Sequence, residues 1–181
     1  MKTVCAWCRK VMVEDDSPVA AVAHGICSEC VKQLLRLSEV NLSDVLDSID
    51  VPIIVTDAAM TLLLVNQKAK CLLGNSAYQL EMPTVGIAIE CRNAGLLGSC
   101  GEGEPCAGCI LRRAIRDTRV DGRRRYGVYS DLEVAMTPGT EKKRFRFSTT
   151  RMGDAIVLAI DGIVNLATES HPVPRETTAL Q

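Results

Sequence analysis

The residues of this 181-residue chain that could do chemistry are above all its nine cysteines, because eight of them fall into two sets of four. A CxxC pair places two thiolates on one tight turn, where both can bind the same metal ion, and two further thiols complete a tetrahedral shell. Metal binding is therefore the first hypothesis for each set. The first cysteine set lies near the N-terminus and comprises Cys5, Cys8, Cys27 and Cys30. The second cysteine set lies in the middle of the chain and comprises Cys91, Cys100, Cys106 and Cys109.

In the first cysteine set two CxxC pairs are separated by eighteen residues, which favours a structural zinc site. Four thiolates close the coordination shell and leave no open position for catalysis. A module of about 30 residues cannot bury a sufficient core, and a bound metal then supplies the missing stability. The alternative is four free or redox-active thiols. We expect Trp7 to pack over the first pair, and His24 to be a turn residue that supports the second.

The second cysteine set, with eight, five and two residues between successive members, matches no widely shared zinc-finger spacing. The segment is rich in glycine, so the backbone can wrap closely around an ion or cluster and present amides to the sulfurs. Four thiolates suit zinc and also a [4Fe–4S] iron–sulfur cluster, and both remain open. A third hypothesis is a dithiol–disulfide switch at Cys106 and Cys109, whose pKa values a following helix would lower. The glycines are Gly95, Gly98, Gly101, Gly103 and Gly108.

Other reactive groups are few. Cys71 is expected to be a small core residue. The two histidines, His24 and His171, offer no candidate for acid–base catalysis or for a proximal haem ligand. Because no nucleophile–base pair, phosphate loop or paired-carboxylate site is recognisable, we predict that the protein is not an enzyme.

Arginines follow the second cysteine set on one face of a predicted helix. The simplest interpretation is a solvated face, although the nearest of them could offset the negative charge of a four-thiolate site. A docking surface for an acidic protein or for nucleic acid is the functional alternative, without the interleaved aromatics that stack on bases. These residues are Arg112, Arg113, Arg116 and Arg119.

The composition predicts a globular cytoplasmic protein. Hydrophobic residues make up 47% of the chain but aromatic residues only 3%, so aliphatic side chains must fill the core. The net charge of -1 favours neither nucleic acid nor an anionic membrane as a partner. We recognise no signal peptide and no membrane span. A reducing compartment in turn favours metal or redox sites over structural disulfides.

The elements that must position the cysteines predict an α+β fold with a five-stranded antiparallel sheet and its helices on one face. A helical connector at 31–50, with Ser43 as the cap of its second piece, either packs on the next domain or forms a short coiled coil. A hairpin and a short helix then precede the second cysteine set, and a longer helix and three strands follow it. The predicted strands are 53–57, 61–66, 126–136, 144–150 and 154–163. The predicted helices after the connector are 67–73 and a longer one that includes Ile110 and is terminated by Asp121 and Gly122.

The stretch VPIIVTDAAMTLLLVNQKAKCLLG and the closing VLAIDGIVNL resemble the PAS sensor domain. In that family an apolar strand leads to an Asp turn, a second strand ending in Asn and a short helix ending in Gly. Asp57, Asn66 and Gly74 occupy those places, and the resemblance covers roughly 43–166.

Two further stretches carry more specific resemblances. The segment GIAIECRNAGLLGSCGEGEPCAGCILRRAI is similar to a cysteine-rich subgroup of bacterial PAS domains, with Glu90 and Gly101 beside the matching cysteines of the second set. Pro105 stands where many of those sequences have His. The N-terminal CAWC with HGICSEC resembles a short zinc-ribbon-like module that is attached to some bacterial PAS and response-regulator proteins.

These resemblances imply a zinc-ribbon-like module at 1–30, a PAS domain with a four-cysteine insertion at 51–166 and a disordered tail at 167–181. We expect a non-enzymatic signal-transduction protein that senses redox state, metal or a small ligand. Since no output domain follows, the signal would pass to a protein partner such as a histidine kinase or regulator, from a homodimer and without a membrane. The alternatives are a zinc-dependent nucleic-acid-binding or transcription-associated regulator, which is not favoured, and a thiol oxidoreductase.

Overall fold

The structure is a computed structural model that describes residues 2–14, 22–36, 42–73, 83–98, 100–101, 103–136 and 139–166. Gly74 and the tail predicted at 167–181 lie outside these ranges. The strands are β1 (Lys2–Cys5), β2 (Val11–Glu14), β3 (Val22–Gly25), β4 (Ile53–Thr56), β5 (Leu62–Val65), β6 (Arg125–Met136), β7 (Gly139–Met152) and β8 (Ala155–Asn165). The helices are α1 (Ser28–Arg36), α2 (Leu42–Asp47), α3 (Gln67–Leu73), α4 (Val85–Ala88), α5 (Arg92–Leu97) and α6 (Ile110–Asp121).

Five strands form the main sheet in the order β5-β4-β8-β7-β6, and every neighbouring pair is antiparallel. The five-stranded antiparallel sheet predicted from the sequence is confirmed. Strands β7 and β8 extend beyond their predicted bounds. The added ends are paired with neighbouring strands, residues 139–143 with β6, Arg151 and Met152 with β8, and Val164 and Asn165 with β7. Such long-range pairing cannot be read from the local alternation of polar and apolar residues.

Helices α3 to α6 cover the inner face of this sheet. Phe145 and Phe147 of β7 and Leu158 of β8 pack there against apolar side chains of the helices. The helical contributors include Ala69, Val85, Ala88, Leu111, Ala114 and Ile115. Helix α6 has the predicted bounds, since Leu111, Ala114 and Ile115 recur on one face and Gly122 ends the helix in the left-handed conformation.

The outer face of the sheet is covered as well, by the N-terminal cysteine module and by α2. Ile53, Val157 and Ala159 of the sheet pack against Ile26 of the module and against Leu46 of α2. Complete burial of a leucine such as Leu46 stabilises the fold by about 2 kcal/mol. The connector therefore contributes Leu46 to the domain's own core and not to a coiled-coil seam. Helix α2 begins one residue before Ser43, the predicted cap.

The N-terminal cysteine module is a three-stranded sheet in the order β2-β1-β3, followed by α1. Strand β1 pairs antiparallel with β2 and parallel with β3. His24 lies within β3, opposite Val4 of β1, so its prediction as a turn residue is wrong. It was mistaken for a loop residue because β3 is only four residues long and a glycine ends it.

A buried carboxylate fastens this module to the main sheet. Asp161 Oδ1 accepts hydrogen bonds from the His24 backbone N–H at 2.7 Å and from its Nδ1 at 3.1 Å. Asp161 Oδ2 accepts the Ser148 hydroxyl at 2.7 Å, and Ser148 Oγ accepts the Gly127 N–H at 3.0 Å. Arg146 adds a hydrogen bond to the Val22 carbonyl at 2.8 Å. The Asp161 side chain is fully buried, so the contact depends on these donors.

Asn66 plays a similar part between the connector and the β4–β5 hairpin. Its Oδ1 accepts the Ile53 N–H at 2.8 Å and the Ala69 N–H at 3.0 Å. Its Nδ2 donates to the carbonyls of Leu46, Ile49 and Val51, at distances of 3.2, 3.1 and 2.8 Å respectively. One fully buried amide thus satisfies five backbone groups.

We expect Asn66→Asp to lower the free energy of unfolding by about 3 kcal/mol, because a carboxylate oxygen would face three carbonyl oxygens in place of the amide donor. Urea denaturation followed by circular dichroism measures this change. The matched control is Asn165→Asp at the exposed end of β8, which we expect to change stability by less than about 0.5 kcal/mol. Equal effects of the two substitutions would contradict the role assigned to Asn66.

We expect Asp161→Ala to lower the free energy of unfolding by about 3 kcal/mol and to expose the N-terminal module to proteolysis, because the His24 N–H would lose its buried acceptor. Limited proteolysis and urea denaturation measure the two effects. Asp154→Ala, in the exposed turn before β8, is the control and should behave as the unsubstituted protein. Unchanged protease resistance of Asp161→Ala would show that the carboxylate does not hold the module.

Candidate metal centres

The first cysteine set is assembled by the parallel pairing of β1 with β3, which places Cys5 opposite Gly25. Cys5 ends β1, Cys8 lies in the following turn, and Cys27 and Cys30 lie at the beginning of α1. The four sulfurs all lie within 4.8 Å of one another, and the Cys8 and Cys27 sulfurs are 3.8 Å apart. Tetrahedral zinc, with Zn–S bonds of about 2.3 Å, holds its sulfurs about 3.8 Å apart. The geometry therefore fits one four-thiolate ion.

The thiols of this set differ in acidity. Although burial opposes it, hydrogen bonds from the backbone N–H groups of Cys27, Cys8 and Trp7 lower the pKa of Cys5 to about 7. Burial raises the pKa values of Cys27 and Cys30. A metal ion that binds all four must displace protons from the less acidic thiols, so its affinity for the set increases with pH. Trp7, which is half-buried, packs against the outer-face core.

The second cysteine set lines a single cavity of about 610 Å³ between helices α4 to α6 and strands β6 and β7. Cys91 precedes α5 and forms a bridge with Val134 of β6. Cys100 lies in the loop after α5, Cys106 ends a short 3₁₀ turn, and Cys109 caps α6. The structure thus places these four cysteines, which are unevenly spaced in sequence, around one cavity.

The sulfurs of the second set are more widely spaced than those of the first. Of all groups of three or more Cys, His, Asp and Glu within the described ranges, only the first cysteine set has every ligand atom within 4.8 Å of the others. The Cys100 sulfur contacts Met60, at 3.8 Å from its thioether sulfur. The second set therefore surrounds a cavity and does not converge on one point.

Burial lowers the acidity of two thiols of this set, Cys100 and Cys109. It raises the pKa of Cys100 to about 12, against a lowering hydrogen bond from the Gly86 N–H, and the neighbouring thiols of the set raise it further. Burial also raises the pKa of Cys109, against hydrogen bonds from the Arg112 and Leu111 N–H groups. The lowered Cys109 pKa predicted for a dithiol–disulfide switch is therefore wrong, because desolvation outweighs the stabilisation of the thiolate at the beginning of α6.

Cys100 packs so closely against the backbone of α4 that only a glycine fits beside it. A Cβ atom at Gly86 of α4 would lie 2.7 Å from the Cys100 sulfur and 2.8 Å from the Ala94 Cβ. Gly101 has a φ of +92°, and a Cβ there would lie 3.1 Å from Arg112 Nε. Gly101 is thus required by its left-handed backbone and its contact with Arg112, and the predicted wrapping of glycines around an ion stays a prediction. Gly86 was missed because it precedes the cysteine-rich segment.

The predicted arginine surface is divided between different environments. Arg112 is half-buried and lines the cavity, whereas Arg113 is exposed. Arg116 is also exposed and pairs with Asp117 at 3.2 Å. Arg119 is half-buried, and its guanidinium donates to the Asp154 carbonyl at 2.9 Å. The four therefore do not form one uniformly exposed face.

The sequence prediction also missed the contribution of β6 and β7 to the cavity. Tyr129, Lys142 and Arg144 line it, although they are distant from the cysteines in sequence. Arg144 forms a bidentate ion pair with Asp131, with Nε 2.6 Å from Oδ1 and Nη2 2.8 Å from Oδ2. The Arg144 guanidinium lowers the pKa of that carboxyl. The pairing of β6 with β7 brings these residues to the cavity, and no local sequence pattern predicts that position.

Cys71 is exposed, so its prediction as a core residue is wrong. Helix α3 buries Ala69 and Leu73, which lie four residues apart on one face. Cys71 lies between them in sequence and therefore points away from that face, where Gln67 Nε2 contacts its sulfur at 3.8 Å. Its exposure makes it a suitable control position for both cysteine sets.

The described residues have the α+β architecture predicted from the sequence, a five-stranded antiparallel sheet with packed helices, and a cysteine cluster near the N-terminus. No family model and no curated protein matches it. It is similar to a PAS domain from Desulfitobacterium hafniense, with 13% identity and a TM-score of 0.37, over 67% of this chain and 97% of that one.

Two other solved structures are similar to this chain. The photoactive yellow protein domain of the sensor histidine kinase Ppr from Rhodospirillum centenum has 13% identity and a TM-score of 0.37, over 65% of this chain and 90% of that one. An RNA-binding light-oxygen-voltage receptor has 17% identity and a TM-score of 0.41, over 82% of this chain but only 36% of the receptor. Within the described ranges, no helix has the length and apolar character needed to cross a membrane.

We expect Gly86→Ala to weaken metal binding at the second cysteine set by about 10-fold or more, because the added methyl group would displace the Cys100 sulfur. Elemental analysis after dialysis against a graded series of chelator concentrations measures the loss. Gly95→Ala is the matched control, since a Cβ there meets nothing within 4 Å. Equal retention of metal by the two variants would contradict the importance of this close approach.

Proposed function

We propose that this protein is a non-enzymatic sensor in which the second cysteine set holds a metal centre inside a PAS-like domain. The centre responds to redox state, metal or a small ligand, and the first cysteine set holds a structural zinc ion. The observation that carries the proposal is the cavity of about 610 Å³, which all four cysteines of the second set line. A cavity lined by four thiols against a sheet is suited to binding a metal, and burial raises the pKa of Cys100 and Cys109, so a metal that binds them must displace their protons.

The sheet connects the cavity to the N-terminal module. On β7, Arg144 lines the cavity and Arg146, two residues further on, donates to the Val22 carbonyl of the module. On β6, Tyr129 lines the cavity and Gly127 donates to Ser148, which itself contacts Asp161. A shift of β6 or β7 at the cavity would therefore change the hydrogen bonds that hold β3. The signal then passes through the module to a protein partner such as a histidine kinase or regulator.

The zinc ion of the first cysteine set would keep the N-terminal module, through which the signal passes, folded. Two of its ligands follow β3 directly, and three of its four sulfurs belong to buried cysteines. The metal replaces part of the core that so small a module lacks.

The trio of His24, Asp161 and Ser148 does not provide an enzymatic alternative. The imidazole and the hydroxyl both contact the Asp161 carboxylate and not one another, so the hydroxyl has no base to activate it. Ser148 is also buried. Their arrangement is that of a structural contact.

Hydrogen–deuterium exchange tests the proposed signal path. We expect Cys100→Ser, which removes one ligand of the metal centre, to increase amide exchange in β3 and in β6 to β8, outside the cysteine loop itself. Cys71→Ser serves as the control and should exchange as the unsubstituted protein does. Changes confined to the segment around the second cysteine set would contradict a path to the module, and an absence of metal at that set would overturn the sensor proposal.

A further inference from the structure

We infer that the metal centre of the second cysteine set is a [4Fe–4S] cluster and not a single zinc ion, an inference that rests on the metal centre proposed above. The two sets supply the same four ligand types in one chain, so their geometries can be compared directly. The first set serves as an internal standard for a one-ion site.

The spacing of the sulfurs is the first argument. A single zinc ion, with Zn–S bonds of about 2.3 Å, requires four sulfurs about 3.8 Å apart. The first set satisfies this requirement closely, with all four sulfurs within 4.8 Å. No three sulfurs of the second set meet that limit, although all four of its cysteines are described and line one cavity. In a [4Fe–4S] cluster each thiolate binds a different iron atom, so the sulfurs stand further apart around a larger body.

The volume of the cavity is the second argument. Four thiolates around one ion fill the space between them, and such a site needs no cavity. A cluster brings its own iron and sulfide atoms and must occupy a volume among its ligands. The cavity of about 610 Å³ provides this volume, and Ile89, Ala94, Leu111 and Leu132 contribute apolar wall. Three of these four side chains are almost completely buried, and apolar walls limit the access of water to a cluster.

The backbone supplies hydrogen bonds of the kind that tune such clusters. The Gly86 N–H contacts the Cys100 sulfur, and the Leu111 and Arg112 N–H groups contact the Cys109 sulfur. Hydrogen bonds to cysteine sulfur stabilise the negative charge on the ligands and raise the reduction potential. The missing side chain of Gly86 permits the close approach of α4 to Cys100.

The positive charge of Arg112 lies beside the proposed cluster. An oxidised [4Fe–4S] centre with four thiolates carries a net charge of about -2. The Arg112 guanidinium lines the cavity and lies against Gly101, next to the ligand Cys100. Within the part of the chain that the structure describes, Arg112 has no ion-pair partner, whereas Arg144 is neutralised by Asp131. Arg112 is therefore placed to offset the charge of the cluster.

Anaerobic purification of the full chain, followed by zinc, iron and sulfide analysis, tests the inference. We expect about four iron and four sulfide per chain at the second set, together with one zinc at the first. Broad visible absorbance should decrease when dithionite supplies one electron per cluster. Cys100→Ser should lose iron and sulfide and keep zinc, Cys27→Ser should lose zinc and keep iron, and Cys71→Ser should keep all three.

The metal content of the unsubstituted protein separates the possible failures without depending on any variant. Two zinc ions per chain, or one iron without sulfide, would overturn the cluster and leave the proposed metal sensor intact. An unmetallated second set would overturn both proposals.

Arg112→Gln provides an independent readout, because removing a positive charge beside the cluster disfavours the added electron. We expect a more negative midpoint potential in this variant than in Arg113→Gln, the exposed neighbour. Equal potentials would show that Arg112 does not face the cluster.

Discussion

The buried contact between Asp161 and the N-terminal module is the interaction on which the arrangement of the whole protein depends. A carboxylate without solvent must be satisfied by donors, and here these come from His24 of the module and Ser148 of the main sheet. The same residue therefore belongs to both parts of the chain. Its hydrogen bonds fix the direction of β3 across β7 and β8 and complement the apolar packing around them.

Because of this attachment, both faces of the main sheet are covered by other parts of the chain. The helices on the inner face, with the loops between them, carry the four thiols that line the cavity, and the outer face holds the cysteine module. Since β6 and β7 carry residues of the cavity and residues of the attachment, the two sites share backbone. Coupling between them then needs only a small displacement of strands that are already in contact with both.

The two cysteine sets place the same residue type in two different arrangements. In the first set a parallel strand pair brings two CxxC turns together until the sulfurs nearly touch, as one ion requires. In the second set the cysteines come from helix beginnings and a loop around a cavity, where the missing Cβ of Gly86 leaves room for Cys100 and Arg112 lines the wall. The close approach that favours zinc in the first set is therefore missing among the described sulfurs of the second.

The sequence by itself determined the two cysteine sets, the β4–β5 hairpin, the bounds of α3 and α6 and the five-stranded antiparallel sheet. These follow from local spacing, periodicity and turn residues. Only the tertiary structure decided that His24 is a strand residue paired with Asp161, that Cys71 is exposed, and that Tyr129 and Arg144 belong to the cavity. It also decided the acidity of Cys109, because burial depends on contacts between residues that are distant in sequence, whereas a ligand motif depends only on its neighbours.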